Sequence, residues 1–144
     1  MQSLSLGTCK RRPILAAGSD QEIDAIFGRM QERRIEALLV TADGLFFGLP
    51  DKLATLAARY AMPTFYPLSD YVAAGGLISY GANLSKSWRQ AGIYVGKIVK
   101  GARIADLPVI QATKFELAII LKTAKSLGLT VPPTLLTSAD EVIE

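Results

Sequence analysis

One short stretch of the chain carries the residue types best suited to hold a small ligand. Ser79, Tyr80 and Gly81 end an apolar run that has glycines on both sides, and Asn83 stands where an amphipathic helix begins. A hydroxyl group, an aromatic ring and the free N–H groups of a helix N-terminus can together bind a small anion such as a carboxylate. This is binding chemistry, and the stretch contains no catalytic group.

A second set of candidate residues follows two other apolar runs. Asp43 can accept a hydrogen bond from a ligand amine, but Asp-Gly is equally typical of an ordinary turn, so both interpretations stay open. Phe46 and Phe47 come next, and such a pair is more typical of a core or an interface than of a ligand platform. Tyr66 ends the other run. Ligands of open α/β sheets collect at the C-terminal ends of strands, where Asp43, Tyr66 and Tyr80 are expected.

The composition argues against catalysis and against a metal centre. The 144 residues include no histidine, which removes the commonest general base and the commonest metal ligand. Cys9 is the only cysteine, so it cannot form an internal disulfide, and a zinc site would have to draw on carboxylates and that one thiol. Residues 92–97 superficially resemble a phosphate loop, but Ile98 stands where such a loop needs Ser or Thr. We therefore expect no enzymatic activity, no metal and no cofactor.

Charge and hydropathy argue against two further classes of partner. The net charge is +3, and of the sixteen basic residues only Lys10, Arg11 and Arg12 form a run of three, which is a weak nucleic-acid signal. No segment approaches the roughly eighteen to twenty apolar residues of a membrane span. The first nine residues lack a charged start followed by an apolar core, so no secretory signal is recognisable. The chain as written is expected in the cytoplasm and without a nucleic-acid partner.

The elements that position the candidate residues alternate between strand and helix. The predicted strands lie at residues 13–17, 37–41, 64–66 and 77–80, with further extended stretches between 108 and 121. Ser19 and Glu22 fit a capping box at the start of the first helix. The pattern predicts a Rossmann-like α/β fold, with a parallel sheet covered by helices on both faces. We expect one domain over residues 1–144, with residues 1–12 disordered.

The longest predicted helix follows Asn83 and runs from about residue 84 to residue 100. Its apolar residues recur at helical spacing and are expected to face inward: Leu84, Trp88, Ala91, Val95 and Ile98. Gly92 and Gly96 share a helix face and predict close packing against another element.

Several stretches resemble the substrate-binding proteins of ABC-type transporters, in particular those related to tryptophan and tyrosine uptake. The matching motifs are ALLV (37–40), LAARY (56–60), YVAAGGLISYG (71–81), AGIYVGKIVKG (91–101), DLPV (106–109) and TKFEL (113–117). The tail from residue 122 to residue 144 also resembles the family's ending, so the similarity covers about residues 19–144.

This resemblance implies a two-lobed type I periplasmic binding fold that captures a small solute between its lobes and delivers it to a membrane permease. Family members are much longer, so the chain resembles the second lobe alone. The solute would be an amino acid with an aromatic or apolar side chain, and the positions that match the cleft are Asp43, Ser79, Tyr80 and Gly81. The resemblance places the protein in the periplasm.

Two hypotheses about function follow. In the first, the chain binds a solute without converting it, and the expected ligand-binding residues are Asp43, Phe46, Tyr66, Ser79, Tyr80, Gly81 and Asn83. In the second, the chain is a truncated structural domain that has lost ligand capture. In both, apolar surface left by a missing lobe, from about residue 108 onward, favours a homodimer.

Overall fold

A mixed five-stranded sheet runs through the chain in the computed structural model, which describes residues 13–110 and 114–144. The strands lie side by side in chain order: β1 (Leu38–Leu39), β2 (Thr64–Tyr66), β3 (Ile78–Ala82), β4 (Phe115–Ile120) and β5 (Glu141–Ile143). The expectations about Cys9, the basic run and disorder at residues 1–12 lie outside the described residues.

Helices occupy most of the connections between the strands. They are α1 (Asp20–Glu32), α2 (Gly44–Phe47), α3 (Pro50–Arg59), α4 (Ser69–Ala73), α5 (Leu84–Val99), α6 (Leu121–Ser126) and α7 (Pro133–Ser138), with a 3-10 turn at Ile104–Asp106. The predicted α/β fold is confirmed. Over residues 13–110 and 114–144, no helix is both long enough and apolar enough to cross a membrane.

The main core lies between α1, α3 and the first two strands. α1 buries Ile23, Ile26, Phe27 and Met30, which recur every three or four residues and so line one face of the helix. One face of α3 is also buried, through Leu53, Ala54, Leu56 and Ala57. On the side of the sheet, Val40 and Tyr66 complete this core. Burial of each large apolar side chain contributes about 1.5–3 kcal/mol, so this core fixes the position of β1 and β2.

The start of α1 follows its sequence signal. The Ser19 hydroxyl oxygen accepts a hydrogen bond from the Glu22 N–H at 3.3 Å, and the Glu22 carboxylate accepts one from the Gly18 N–H at 2.7 Å. The Ser19 bond satisfies one N–H group that the helix itself leaves unpaired, which confirms Ser19 as the predicted N-cap. The Glu22 carboxylate binds the N–H of Gly18, one residue before the N-cap, whereas a capping box would bind the N–H of Ser19 itself.

The direction of β4 differs from the prediction of a wholly parallel sheet. β1, β2 and β3 are parallel, but β4 is antiparallel to β3, and β5 is parallel to β4. The reason lies in the connection: α5 leaves from the C-terminal end of β3, and the chain comes back to that same end, where Phe115 pairs with Ala82. A strand that enters the sheet at this end must run antiparallel to β3.

The predicted strand at residues 13–17 is absent from the described part of the chain. These residues belong to no helix or strand, and β1 is the edge strand of the sheet. The apolar pattern of this segment is real, since Leu15 and Ala17 pack against the main core. The segment therefore contributes side chains to the core without joining the sheet.

Helix α5 also differs from its prediction. None of its residues is buried, and Trp88, which was expected to face inward, is 72% exposed. A side-chain carbon added at Gly92 or Gly96 would meet no atom of another element within 4 Å, so these glycines do not serve close packing here. The Tyr94 hydroxyl donates a hydrogen bond to the Pro108 carbonyl oxygen, which ties the returning segment to the helix. We call residues 84–110 the helical arm.

Candidate functional site

Four strands have one terminus each at the same end of the sheet, the end at which β1, β2 and β3 finish. The C-terminal ends of β1, β2 and β3 lie together because these strands are parallel, and β4 begins beside the end of β3. Helices α2, α4 and α5 begin shortly after the first three strands. Five of the seven residues predicted for the site lie in β2 or β3 or directly after β3, near the strand ends where α/β sheets bind ligands: Tyr66, Ser79, Tyr80, Gly81 and Asn83. The other two belong to the connection after β1, where Asp43 begins α2 and Phe46 lies within it.

An exposed pair of aromatic side chains lies at this end of the sheet, on β3 and β4. Tyr80 is 51% exposed and Phe115 is 49% exposed, and their rings stack with centroids 5.6 Å apart and planes inclined by 23°. The strand register explains the pairing, because Ala82 lies opposite Phe115 and alternate residues of a strand point to the same face. Two half-exposed rings at a strand end form an apolar surface on which a planar ligand can stack.

A network of charged and amide groups lies at the end of the same strand pair. Asn83 begins α5: its side-chain oxygen accepts the Lys86 N–H at 3.0 Å, and its Nδ2 donates to Glu116 Oε2 at 2.7 Å. Lys86 Nζ lies 3.1 Å from Glu116 Oε1, and Lys114 Nζ lies 3.8 Å from the same oxygen. The hydrogen bond from Asn83, followed by that from Lys86, lowers the pKa of the Glu116 carboxyl. Glu116 is thus held in its ionised form against the first turn of α5.

Gly81 allows the end of β3 to approach the loop that follows β2. A side-chain carbon at this position would overlap the carbonyl oxygen of Pro67. Only glycine permits this contact, because every other residue carries that carbon. The role of Gly81 is therefore to let two strand ends lie close together.

Asp43 and Phe46 lie on the side of β1. Asp43 begins α2, and its Oδ1 accepts the Leu45 N–H at 2.9 Å, which is the turn chemistry that its sequence context allowed. Phe46 is half-buried and packs against the main core, whereas Phe47 is exposed. Within the described ranges, no hydrogen bond, ion pair or ring contact joins Asp43 or Phe46 to Tyr80.

Two of the predicted site residues have buried side chains. Tyr66 is fully buried, stacks on Tyr71 at 4.8 Å, and points its hydroxyl at the Leu53 carbonyl oxygen at 3.5 Å. Burial raises the pKa of Tyr66 to about 12, so the phenol stays neutral. Ser79 is also buried, and its hydroxyl has no hydrogen-bond partner among the residues described. Contact with a solute in this conformation is therefore left to the exposed members of the set.

Sequence reasoning missed Phe115 and Glu116 as site residues. Both lie in an apolar stretch that predicts only a buried strand, and their closeness to Tyr80 and Asn83 depends on the strand register. The available signal in the sequence was an aromatic residue between two charged ones at the start of that stretch: Lys114, Phe115 and Glu116. Among residues 13–110 and 114–144, no three His, Cys, Asp or Glu side chains are grouped to hold a metal ion.

Comparisons with known proteins agree with this fold. The family model described as ABC transporter substrate binding protein matches residues 15–143. A domain from Streptococcus pneumoniae, solved in complex with L-Trp, is 26% identical with a TM-score of 0.78, over 90% of this chain and 44% of that one. Curated protein sequences give no match.

Two further solved structures show the same fold at lower identity. A conserved domain protein from Vibrio cholerae is 22% identical with a TM-score of 0.74, over 85% of this chain and 41% of that one. A ligand-free, open substrate-binding protein with adhesive properties from Clostridium difficile is 22% identical with a TM-score of 0.57, over 87% and 41%. The chain therefore spans less than half the length of these structures.

Proposed function

This chain belongs to the ABC transporter substrate-binding protein family, and from that premise we propose that it binds a small solute and does not convert it chemically. The family binds substrates rather than transforming them. The proposal that the chain is not an enzyme is supported by its lack of histidine.

The observation that carries the proposal is the exposed ring pair of Tyr80 and Phe115 at the end of β3. Stacking against such a pair favours a solute with a flat apolar group, and an aromatic pair contributes about 0.5–1.5 kcal/mol beyond simple burial. The similar Streptococcus pneumoniae domain was solved with L-Trp, which fits this surface chemistry. We therefore propose an amino acid with an aromatic side chain as the solute.

The polar groups of such a solute need partners at the same edge. We propose that the exposed Asp43 carboxylate, whose Oδ2 is the oxygen not used for capping, accepts a hydrogen bond from the solute ammonium group. The N–H groups of Leu84 and Ser85, in the first turn of α5, are proposed to bind the solute carboxylate. Tyr66, Ser79 and Phe46 would then shape the site from the core side.

Binding of L-tryptophan to the full 144-residue chain tests this proposal. A ligand at about one hundred times its dissociation constant adds roughly 2.7 kcal/mol to stability and raises the melting temperature by several degrees. We expect this shift in the wild type and its loss in Tyr80→Ala. Ile104→Ala, which also removes an exposed apolar side chain but far along the helical arm, is the matched control and should keep the shift. No shift in the wild type, or an equal shift in Tyr80→Ala, would contradict the proposal.

Delivery to a permease is a proposal about the whole protein. Capture of a solute by closure of two lobes requires a second lobe. The match to the similar solved structures covers only 41% to 44% of their length, so it accounts for one lobe. We propose that a protein containing this lobe passes its solute to an ABC permease at the outer face of the membrane, following the family.

The helical arm supports a second candidate function, a dimerising domain without ligand capture. Its exposed apolar side chains include Trp88, Ile93, Val95, Val99, Val109 and Ile110. Such a surface is rare on a monomer and marks an interaction site. We propose that two copies of this chain cover it by forming a homodimer. A dimeric mass without any response to aromatic amino acids would favour this second function.

A further inference from the structure

An apolar cavity of about 1080 Å³ lies at the opposite margin of the sheet from β5, beside the edge strand β1. Its walls include Leu15 in the segment at residues 13–17, Met30 on α1 and Leu39 in β1, and α2 and α3 contribute Phe46 and Leu53. The cavity is therefore bordered both by residues 13–17, which pair with no strand, and by the edge strand β1.

The lining of this cavity does not suit a polar solute. Its charged members, Arg33, Arg34 and Glu36, are all exposed and stand at the margin, and Thr41 is exposed as well. A site for a small molecule combines apolar walls with a few convergent polar groups in its interior. This cavity has apolar walls but no convergent polar side chains in its interior. Its chemistry therefore differs from that of the strand-end site near Tyr80.

The backbone of β1 offers hydrogen bonds on the cavity side. The N–H groups of Leu38 and Val40 donate to the carbonyl oxygens of Pro63 and Phe65, each at 2.9 Å, and so point toward β2. Backbone groups of successive strand residues point to alternate sides, so the N–H and C=O groups of Leu39 face the open edge. The Leu39 side chain is 64% exposed. An apolar wall and the outward-facing backbone groups of Leu39 thus border the same space.

We propose that the cavity is a slot for one additional β-strand, which pairs with β1 at Leu39 and fills the space between β1 and residues 13–17. A strand buried on both faces is apolar along its length, which matches the lining of the slot. Addition of a strand at a free sheet edge combines main-chain hydrogen bonds with side-chain pockets. The occupant is an extended apolar segment of about five to six residues, the commonest strand length.

We propose that this strand comes from the part of a substrate-binding protein that the match to the solved relatives does not cover. The solved relatives match 85% to 90% of this chain, yet the match covers only 41% to 44% of their own length. More than half of each relative is therefore available to supply a strand, whereas no spare strand adjoins β1 within the described residues. This inference rests on the fold and is independent of solute binding at Tyr80.

A peptide probe tests the slot on the full chain. The probe is a peptide of about eight valine and isoleucine residues with lysines at both ends, and its matched control carries N-methyl groups at alternate residues, which block strand pairing. Amide hydrogen exchange is followed over residues 37–41. We expect the unmodified peptide to slow exchange at the Leu39 amide by about tenfold and the N-methylated peptide to leave it unchanged.

Two substitutions at one position provide the second arm of the test, with binding of the labelled peptide measured by fluorescence anisotropy. Leu39→Pro removes the N–H group that faces the slot but leaves the bonds from Leu38 and Val40 to β2, and an edge strand tolerates proline. Leu39→Ala shortens the exposed side chain and keeps the N–H group. We expect Leu39→Pro to weaken peptide binding at least tenfold and Leu39→Ala to retain it, with both variants folded by circular dichroism.

The remaining outcomes would overturn the proposal. Equal effects of both peptides would identify an apolar groove that does not pair strands, and no effect of either would remove the slot. Protection of Leu39 without peptide that disappears on dilution would assign the edge to a second copy of the chain. Protection without peptide at every concentration would assign it to this chain's own residues. In each case, the response to L-tryptophan at Tyr80 is measured separately and decides the proposed function by itself.

Discussion

The α-carbon of Gly81 lies against the carbonyl oxygen of Pro67, so that the end of β3 and the loop after β2 touch without a side chain between them. Gly81 directly follows Tyr80 in β3, so this contact helps to position the strand end that is proposed to bind solute. Because Gly81 has no side-chain carbon, the two strand ends of the candidate site can lie in direct contact.

Gly81→Ala should destabilise the folded protein. The added carbon would overlap the Pro67 carbonyl oxygen, which is backbone and moves only with its loop. Overpacking of this kind typically costs about 1–3 kcal/mol, measurable by urea denaturation. Gly92→Ala is the matched control: the added methyl meets no atom of another element within 4 Å, and replacing a glycine inside a helix contributes about 0.5–1 kcal/mol of stability. Equal stability of Gly81→Ala and the wild type would contradict the close contact.

Phe115→Leu should weaken binding of L-tryptophan while leaving the fold intact. Leucine keeps an apolar side chain at the start of β4 but removes the ring that stacks on Tyr80 at 5.6 Å. The expected loss of binding free energy is about 0.5–1.5 kcal/mol, measured by isothermal titration calorimetry. Phe115→Tyr keeps an aromatic ring and should bind nearly as the wild type does. If Phe115→Leu bound L-tryptophan with wild-type affinity, the ring pair would not be the ligand platform.

Two substitutions of Asp43 should separate capping from ligand binding. Asp43→Ala removes the oxygen that accepts the Leu45 N–H, and loss of such a cap costs about 1 kcal/mol of stability. Asp43→Asn keeps an oxygen for the cap but lacks the negative charge, so its melting temperature should match the wild type while its affinity for L-tryptophan falls. Unchanged affinity in Asp43→Asn would leave Asp43 with the capping role alone.

The sequence predicted those features that depend on local pattern. The alternation of elements, the N-cap at Ser19, and the family follow from spacing and motifs that lie close together in the chain. The direction of β4 could not be predicted in this way, because it depends on where the helical arm returns to the sheet. The predicted inward face of α5 was wrong for a related reason: periodicity shows that Trp88 lies on an apolar face but does not show what covers that face.

The candidate site was predictable in outline only. The position of Tyr80 near a strand end followed from the motif. Phe115, which stacks on Tyr80, lies 35 residues later in the sequence, and only the register of β3 and β4 brings the two rings together. Tyr66 and Ser79 lie at the predicted strand ends, yet their side chains point into the core. Side-chain direction at a strand end depends on the register and the packing, and a short apolar run does not reveal either.

Trp88→Gln should weaken self-association of the chain. Trp88 is the largest exposed side chain on α5, and large aromatic residues contribute most to interfaces, so its loss should raise the dimer dissociation constant at least tenfold. Arg89→Gln changes the neighbouring polar position and should leave the dimer unchanged. The mass of each protein is measured by light scattering over a range of concentrations. A wild-type chain that remains a monodisperse monomer would contradict the homodimer.

Glu116 should make the stability of the protein depend on pH in the acid range. Hydrogen bonds from Asn83 and Lys86 lower its pKa from the ordinary value of 4.5, so the folded state binds a proton at this carboxylate less readily than the unfolded state does. The stabilisation is therefore present in full above pH 4.5 and is lost as the pH falls through the lower pKa of the folded state.

Glu116→Gln removes this titration. We expect the melting temperature of the variant to lie below that of the wild type at neutral pH, and the difference to shrink as the pH falls from 4.5 toward the lower pKa of the folded state. A gap between wild type and Glu116→Gln that stayed constant through the acid range would mean that neutral packing, and not the charge held by Asn83 and Lys86, joins β4 to α5.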